Sequence, residues 1–336
     1  MTVHIFAYDA DGRDDEIALD DLDPSAFGEH KLVWIDVSDG DRTALETISE
    51  RLGVEAEPFL AVLGDVENVP QNFGTFLRFS VDAAPLPEDF STGSVKPDRV
   101  TENRPKLDKR VVFFFSEQWL VTVHDDRVDF LNQFREQDQS DTLIGLLSPL
   151  ALAASLLDWH LGEFFEDVSK IAADVDALDE RVLRENASST LLGRIVTLRR
   201  RTSRLRELLV RNRLVFYGLS RPDLILIANS DSVANYQLLA TRFERALDEV
   251  ERVRDLISGS FDLFSSRNGI ETNALVKVLT IVTAVFGYFG ATAGIFGMNV
   301  KATVFEGGDL TFAIIVGTVF VTSVLAIVIA RTKKWI

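Results

Sequence analysis

Two long uncharged segments constrain the fold of this chain more than any other feature. Residues 278–296 form a run of 19 residues without a charged side chain, and residues 310–330 form a second run of 21. A helix needs ~20 such residues to cross ~30 Å of hydrocarbon. A buried helix of a soluble protein can be equally apolar, but two such runs joined by a short loop favour the membrane. The sequence therefore predicts two membrane-spanning helices.

Basic residues flank the two runs on one side, whereas the loop between them holds only Lys301. The flanking residues are Arg267, Lys277, Arg331, Lys333 and Lys334. Because basic flanks stay in the cytoplasm, we expect both termini to be cytoplasmic in a multi-pass protein of the inner (plasma) membrane. The amino-terminal sequence lacks a basic start followed by an apolar run, so we expect no cleaved signal peptide.

The composition argues against several classes of protein. The chain carries 35 Lys and Arg against 52 Asp and Glu, a formal net charge of -17, so its surface repels nucleic acid and attracts cations. It contains no cysteine, and its four histidines lack the spacing of metal ligands. We therefore expect no nucleic-acid partner, no enzymatic activity and no cofactor.

Small and polar residues recur along the first uncharged segment at steps of three and four, which places them on one helix face. They are Asn273, Val276, Thr280, Thr283, Gly287, Gly290, Gly294 and Gly297. Such a face suits close helix packing, because small residues let backbones approach, and it suits the wall of a pore equally well. Either use requires neighbouring helices, and two spans cannot enclose an aqueous path. The stripe therefore predicts an oligomer.

The first span ends in Gly297-Met298-Asn299. Mg²⁺ loses its inner shell of water reluctantly, so a selective mouth should bind the hydrated ion through its waters. A ring of Asn299 carboxamides, one from each subunit, can accept hydrogen bonds from that shell without the trapping that carboxylates cause. Gly297 lets the backbone turn, and Met298 braces the loop. The alternative is that Asn299 is an ordinary polar residue at a helix end.

Residues 1–145 are typical of a mixed α/β domain. Predicted strands lie at Val3–Tyr8, Leu32–Val37, Thr75–Val81, Val111–Phe115 and Trp119–His124, with a loop near Ala84–Lys106. The sequence His124-Asp125-Asp126 could bind a metal or transfer protons. Because it follows a predicted strand, we expect a solvated turn there instead.

Helical periodicity dominates the middle of the chain. Apolar residues recur at helical spacing over 148–186 and 188–217, which predicts two long helices joined by a tight turn. The first arm (158–186) holds nine acidic and three basic residues, and the second (188–221) holds nine basic and one acidic, so the arms should pair antiparallel. After Pro222 a third helix of some 60 residues should run without a break into the first span.

The carboxyl-terminal region resembles the CorA family of magnesium transporters. The resemblance rests on the segments 273–281, 294–299 and 333–336, covers residues 230–336 well, and extends in pattern to Trp34–Val37 and Trp119–His124. It implies an α/β cytoplasmic domain with a long-helix hairpin and stalk, followed by two transmembrane helices in a funnel-shaped homopentamer. The implied function is a gated Mg²⁺ channel, with Co²⁺, Ni²⁺ and Zn²⁺ as further candidate ions.

The resemblance also assigns roles to residues. It implies a selectivity motif at Gly297, Met298 and Asn299. It also implies that the seven stripe positions from Asn273 to Gly294 line the pore. Glu306 and Asp309 attract cations to the outer loop, and Lys333 and Lys334 form a basic cytoplasmic ring. In the family, cations bound between cytoplasmic domains close the channel, so Mg²⁺ is also a candidate regulatory ligand. The candidate ligands are Asp65, Glu67, Asp82 and Asp89.

Three segments depart from the family pattern. Residues 237–241 lack the acidic run that many relatives carry on the stalk, the outer loop 301–309 lacks the usual Met-Pro-Glu-Leu, and Tyr288 stands near the place of a proline. These departures leave two alternatives open. One is transport of Zn²⁺ or another divalent ion, as in the ZntB branch, and the other is a membrane-anchored sensor or scaffold that does not conduct.

The sequence thus divides into six segments. We expect an α/β domain (1–146), a helix hairpin (147–230), a stalk continuing into the first span (231–296), an outer loop (297–309), the second span (310–330) and a basic tail (331–336).

Overall fold

The computed structural model describes residues 2–8, 14–19, 22, 32–40, 42–64, 66–83, 109–125, 128–137, 144, 147–185, 187–298 and 308–332. Its contacts divide the chain into two compact units. Unit 1 contains Met1–Ala177 and Gly193–Ser258, and unit 2 contains Leu178–Leu192 and Gly259–Ile336. The six segments predicted from the sequence are continuous in the chain, whereas the two units are not, and the six-segment division stays a prediction.

A seven-stranded sheet forms the centre of unit 1 within the described residues. The strands are β1 (Thr2–Tyr8), β2 (Asp14–Ile17), β3 (Leu32–Ser38), β4 (Gln71–Asn72), β5 (Leu77–Asp82), β6 (Arg110–Phe115) and β7 (Trp119–His124). Their order is β2-β1-β3-β7-β6-β5-β4, and only the β3–β7 pair is parallel. All five predicted strands are present, with ends shifted by at most two residues.

Helices cover both faces of the sheet, which explains why β3, β5 and β7 are buried along nearly their whole length. On one face pack Leu45 and Ile48 of α1 (Arg42–Arg51) and Phe59 of α2 (Ala56–Leu60). Phe59 stacks on Phe114 with ring centres 4.1 Å apart. This face holds the main apolar core of the unit.

The second face carries aromatic side chains that meet three further helices. These helices are α3 (Asp129–Gln137), α4 (Pro149–Arg184) and α7 (Val233–Gly297). Trp34 lies edge-on to Phe134 of α3 at 5.9 Å, and Phe115 stacks against Tyr236 of α7 at 6.4 Å. The Tyr236 hydroxyl donates to the carbonyl of Leu150 at 2.9 Å, and burial raises its pKa. The amino-terminal part of α7 is therefore fixed within unit 1.

The predicted hairpin consists of α4 and α5 (Ser189–Leu219). Asp174 of α4 accepts from Arg194 at 3.5 Å and from Arg201 at 3.2 Å, which confirms the predicted pairing of an acidic with a basic arm. A four-residue helix, α6 (Ile225–Ala228), precedes α7. The 65 residues of α7 confirm the prediction of one uninterrupted helix that continues into the first apolar run.

Two helices in the described part of the chain are long and apolar enough to cross a membrane. One is α7 and the other is α8 (Gly308–Thr332). Many apolar side chains of the two uncharged runs are not covered by the rest of the described chain, since Phe286 is 72% exposed and Leu310 is 74% exposed. Surfaces of this kind require lipid or neighbouring helices to cover them.

Candidate ion pathway

The stripe of small and polar residues lies on one face of α7, as predicted from its spacing. Asn273 and the stripe positions up to Gly297 are all exposed in the single chain. A Cβ atom built on Gly287, Gly290 or Gly294 meets no atom within 4 Å. The structure therefore leaves this face open along the full length of the first span.

The second span packs against the opposite face of α7. The half-buried residues of the first span are Ile281, Val285 and Thr292, which lie about half a helical turn away from the stripe. On α8 the buried residues Val319 and Ser323 lie one turn apart on the face that meets α7. Within one chain, α8 thus supports the back of the first span and leaves the stripe uncovered.

Hydroxyl groups on the stripe keep their acceptor capacity. Thr280 donates to the carbonyl of Val276, and Thr283 donates to the carbonyl of Leu279, each at 2.8 Å. A hydroxyl that donates within its own helix still has lone pairs that can accept. These oxygens can receive hydrogen bonds from the water shell of a cation.

One polar contact joins the two spans. The hydroxyl groups of Tyr288 and Thr322 form a hydrogen bond at 3.2 Å, and Thr322 also donates to the carbonyl of Thr318 at 2.8 Å. Hydrogen bonds of this kind between membrane helices stabilise their packing by about 0.6 kcal/mol on average. The sequence indicates Tyr288 only as a departure from the family pattern, and nothing in the second uncharged run distinguishes Thr322 from the hydroxyl residues beside it.

An apolar cavity of about 430 Å³ lies between the two spans on the side away from the stripe. Phe289, Phe296, Phe312 and Phe320 contribute aromatic rings to its lining. The lining contains no charged side chain, so the cavity does not offer a path for a cation. The open stripe remains the polar surface of the first span.

The carboxyl-terminal end of α7 leads to the predicted selectivity motif. Gly297 is the last helical residue, and the Met298 amide donates to the carbonyl of Ile295 at 3.3 Å. The Met298 side chain is 59% exposed. Asn299 and Glu306 lie outside the described residues, as do Lys333 and Lys334. Asp309 is exposed in the first turn of α8, where a negative charge is favourable near the helix amino terminus.

The tip of the helix hairpin contacts α7 just before the first span, within unit 2. Both carboxylate oxygens of Glu271 lie within hydrogen-bond distance of the Ala187 amide, at 3.2 and 3.3 Å. Arg267 is 3.6 Å from the same carboxylate. Glu271 therefore fixes the turn between α4 and α5 on the helix that becomes the first span, a contact that no local sequence signal indicates.

Two of the four candidate regulatory ligands, Glu67 and Asp82, lie within the described residues. Asp82 is buried, with its carboxylate 3.6 Å from Arg110 and 3.7 Å from Arg211, whereas Glu67 is exposed. Asp65 and Asp89 lie outside the described residues. The described part of the chain contains no group of three or more His, Asp or Glu side chains that could hold a metal ion. A regulatory metal site stays a prediction.

The expectation that His124 begins a solvated turn is wrong. His124 is buried, and its Nε2 atom lies 3.2 Å from a carboxylate oxygen of Asp36, which also accepts from Thr122 at 2.5 Å and pairs with Arg135 at 3.1 Å. Burial alone raises the pKa of Asp36, but these partners outweigh burial and hold the pKa below its usual value. His124 was misread because its partner lies on β3, 88 positions earlier.

Glu163 is a second titratable group that could not be predicted from the sequence. Burial, together with the negative charges of Asp129, Asp167 and Glu166, raises the pKa of Glu163 on α4 to about 7 against the opposing charge of Lys109. Helical spacing brings Glu166 and Asp167 close to Glu163, but nothing in the sequence indicates that Asp129 and Lys109 do so, because Asp129 lies on α3 and Lys109 precedes β6.

Comparison with known proteins gives the fold independent support. The complete CorA magnesium transporter of Methanocaldococcus jannaschii has the same fold, with a TM-score of 0.77, 18% identity and full coverage of both chains. In sequence, the cobalt/magnesium transport protein CorA of that organism is 22% identical over 334 residues, 96% of this chain and 98% of the relative. CorA of Thermotoga maritima is 29% identical over 185 residues, which span 55% of this chain and 52% of that protein.

An α/β domain, a long-helix hairpin and two long apolar helices at the carboxyl-terminal end are the architecture that this chain shares with the CorA magnesium transporter. The family model described as CorA-like Mg²⁺ transporter protein matches residues 29–331, and the chain belongs to this family. Its members are membrane-embedded channels or transporters for divalent cations that form oligomers, and they are not enzymes.

Proposed function

We propose that this chain forms a membrane channel for divalent cations in which the stripe of α7 lines the pore and Asn299 selects hydrated Mg²⁺ at its outer mouth. The observation that carries the proposal is the placement of the stripe. It is open over the whole first span, it lies opposite to α8, and it leads directly to Gly297-Met298-Asn299.

The chemistry of the open face suits an ion that keeps its water. Threonine hydroxyls and glycine backbones line this face, and it carries no carboxylate or ammonium group between Thr280 and Gly297. A hydrated Mg²⁺ can pass such a surface by exchanging hydrogen bonds, without losing its inner waters. A ring of Asn299 amide oxygens then supplies acceptors where the ion enters, and Glu306 and Asp309 raise the local concentration of cations.

Several chains must share one pore. Two spans leave the stripe uncovered on one side, so we propose a closed ring with the stripes facing its axis, and the resemblance favours five subunits. Because basic flanks stay inside, we propose that both termini face the cytoplasm and that the protein lies in the inner (plasma) membrane. Lys333 and Lys334 then form a basic ring on the inner side.

We propose that cytoplasmic Mg²⁺ favours the closed state. The chain has a formal net charge of -17, so copies packed around one axis repel one another unless cations lie between them. Asp65, Glu67, Asp82 and Asp89 remain the candidate ligands. The pairing of Asp82 with Arg110 and Arg211 offsets its charge inside the subunit, which makes the exposed Glu67 the stronger candidate of the two described positions.

Ion flux into liposomes tests this function. With purified protein and equal gradients, we expect Mg²⁺ to enter faster than Zn²⁺, with Co²⁺ and Ni²⁺ between them, and millimolar Mg²⁺ inside to slow entry. Faster Zn²⁺ entry would favour the alternative of a zinc transporter. If no ion enters faster than into protein-free liposomes, the channel is rejected in favour of a sensor or scaffold.

A further inference from the structure

The two flanks of the open stripe differ in side-chain size. With about 100° of rotation per residue, Leu279 and Phe286 lie about 60–80° to one side of the stripe, and Ala284 and Ala291 lie about 60–80° to the other. Phe286 is 72% exposed and Leu279 is 65% exposed. One flank is therefore a ridge of large apolar side chains, and the other flank is recessed.

The recessed flank has the form of a hole for a single side chain. Ala284, Gly287, Tyr288 and Ala291 follow at i, i+3, i+4 and i+7, the four positions that surround a knob in coiled-coil packing. Three of these residues have small side chains or none, and a Cβ atom at Gly287 meets nothing within 4 Å. Tyr288 forms one wall, and its hydrogen bond with Thr322 ties that wall to α8.

The ridge and the hole lie at the same height along the helix. Phe286 precedes the centre of the hole, between Gly287 and Tyr288, by one to two residues, or about 2 Å at ~1.5 Å per residue. In a ring with cyclic symmetry every copy has the same height, so a surface on one flank can meet only what lies at that height on the other flank. Phe286 and the hole satisfy this condition.

We propose that Phe286 of each subunit packs into the hole formed by Ala284, Gly287, Tyr288 and Ala291 of the next copy of this chain. The inference rests on the proposed function, in which the stripes face a common axis and the flanks of adjacent subunits meet. The occupant is a second copy and not lipid, because the two flanks adjoin the axis-facing stripe while α8 covers the back of the helix. The contact closes the wall of the pore around the axis.

Disulfide cross-linking in membranes tests the contact directly, because the chain contains no cysteine. A double variant, Phe286→Cys with Ala284→Cys, should give a ladder of covalent oligomers on oxidation, because these positions differ in height by only about 3 Å and a disulfide forms only when the two Cα atoms lie within about 7 Å. Each single variant should give far less, and Phe320→Cys with Ala284→Cys serves as a control that pairs a residue of α8 with the same hole. Absence of the ladder in a double variant that still forms the native oligomer overturns the proposal, as does an equal ladder in the control.

A second measurement keeps the aromatic side chain. Phe286→p-benzoyl-phenylalanine, photoactivated in native membranes, should link to residues 284–291 of another subunit, as identified by mass spectrometry. Exclusive linkage to lipid would overturn the proposal. Ion flux through the same preparations separates the two claims. A ladder without flux of any ion upholds the contact and rejects the channel, whereas normal flux without a ladder or photo-product rejects the contact.

Discussion

The sheet of unit 1 and the spans of unit 2 meet their packing requirements in different ways. In the sheet, Trp34, Phe79 and Phe114 are fully buried by the chain itself, and the buried Asp36 has three partners. In the spans, Phe286 and Leu279 remain 72% and 65% exposed, and the stripe glycines have open space beside them. The described core of unit 1 is covered by the chain itself, whereas the first span needs lipid or neighbouring helices to cover it.

The largest expected effect comes from filling the open stripe. We predict that Gly290→Leu lowers Mg²⁺ flux to that of protein-free liposomes, because each subunit then projects a leucine into the pore. The chain's own packing should not suffer, since a Cβ at Gly290 meets nothing within 4 Å. Gly317→Leu on α8, where a Cβ is equally free, is the matched control and should retain flux. If Gly290→Leu retains Mg²⁺ flux at the level of Gly317→Leu and of the wild type, the stripe is not the pore wall.

In unit 1, removal of a buried carboxylate should lower the stability of the protein. We predict that Asp36→Ala lowers stability by about 3–5 kcal/mol, because Arg135 and His124 then lose a buried partner. The measurement is the denaturation midpoint of the detergent-solubilised protein. As a control, Glu46→Ala removes an exposed partner of Arg42 and should cost less than about 1 kcal/mol. Similar losses in both variants would mean that Asp36 is not held as its contacts indicate.

A smaller, pH-dependent effect is expected at Glu163. Its pKa is raised from 4.5 to about 7 in the folded protein, so the folded state holds the proton more tightly, and stability falls as the pH rises from about 4.5 through 7. We predict that Glu163→Gln stabilises the protein by roughly 1–2 kcal/mol at pH 8 and changes stability little at pH 4.5. Denaturation midpoints at the two pH values measure this difference. A stabilisation that does not depend on pH would contradict the assignment.

Most helices and strands of both units could be predicted from the sequence. Long uncharged runs and helical periodicity identified both spans, the hairpin and the 65-residue helix, because each signal is contained in one segment. Strands with apolar alternation were also found. The short strands β2 and β4 were missed, since DDEI and QN carry no such alternation and pair only because β1 and β5 lie beside them.

Contacts between distant segments could not be predicted. His124 and Asp36 are far apart in the chain, as are Asp129 and Glu163, and only the folded sheet and helices bring them together. The spacing predicts that the stripe lies on one face of α7, and the position of α8 leaves that face open. An open face fits either helix packing or a pore wall, so the pore-lining role stays a prediction.

Substitution of Asn299 is the most direct test of the claim that this residue selects hydrated Mg²⁺ at the mouth of the pore. Mg²⁺ uptake should be compared in liposomes containing wild-type protein, Asn299→Ala, or Asn268→Ala, a control that makes the same substitution at an exposed position of α7 before the span. We predict that Asn299→Ala assembles as the wild type does but loses selective Mg²⁺ uptake, while Asn268→Ala retains it. Uptake by Asn299→Ala with wild-type rate and selectivity would contradict the account.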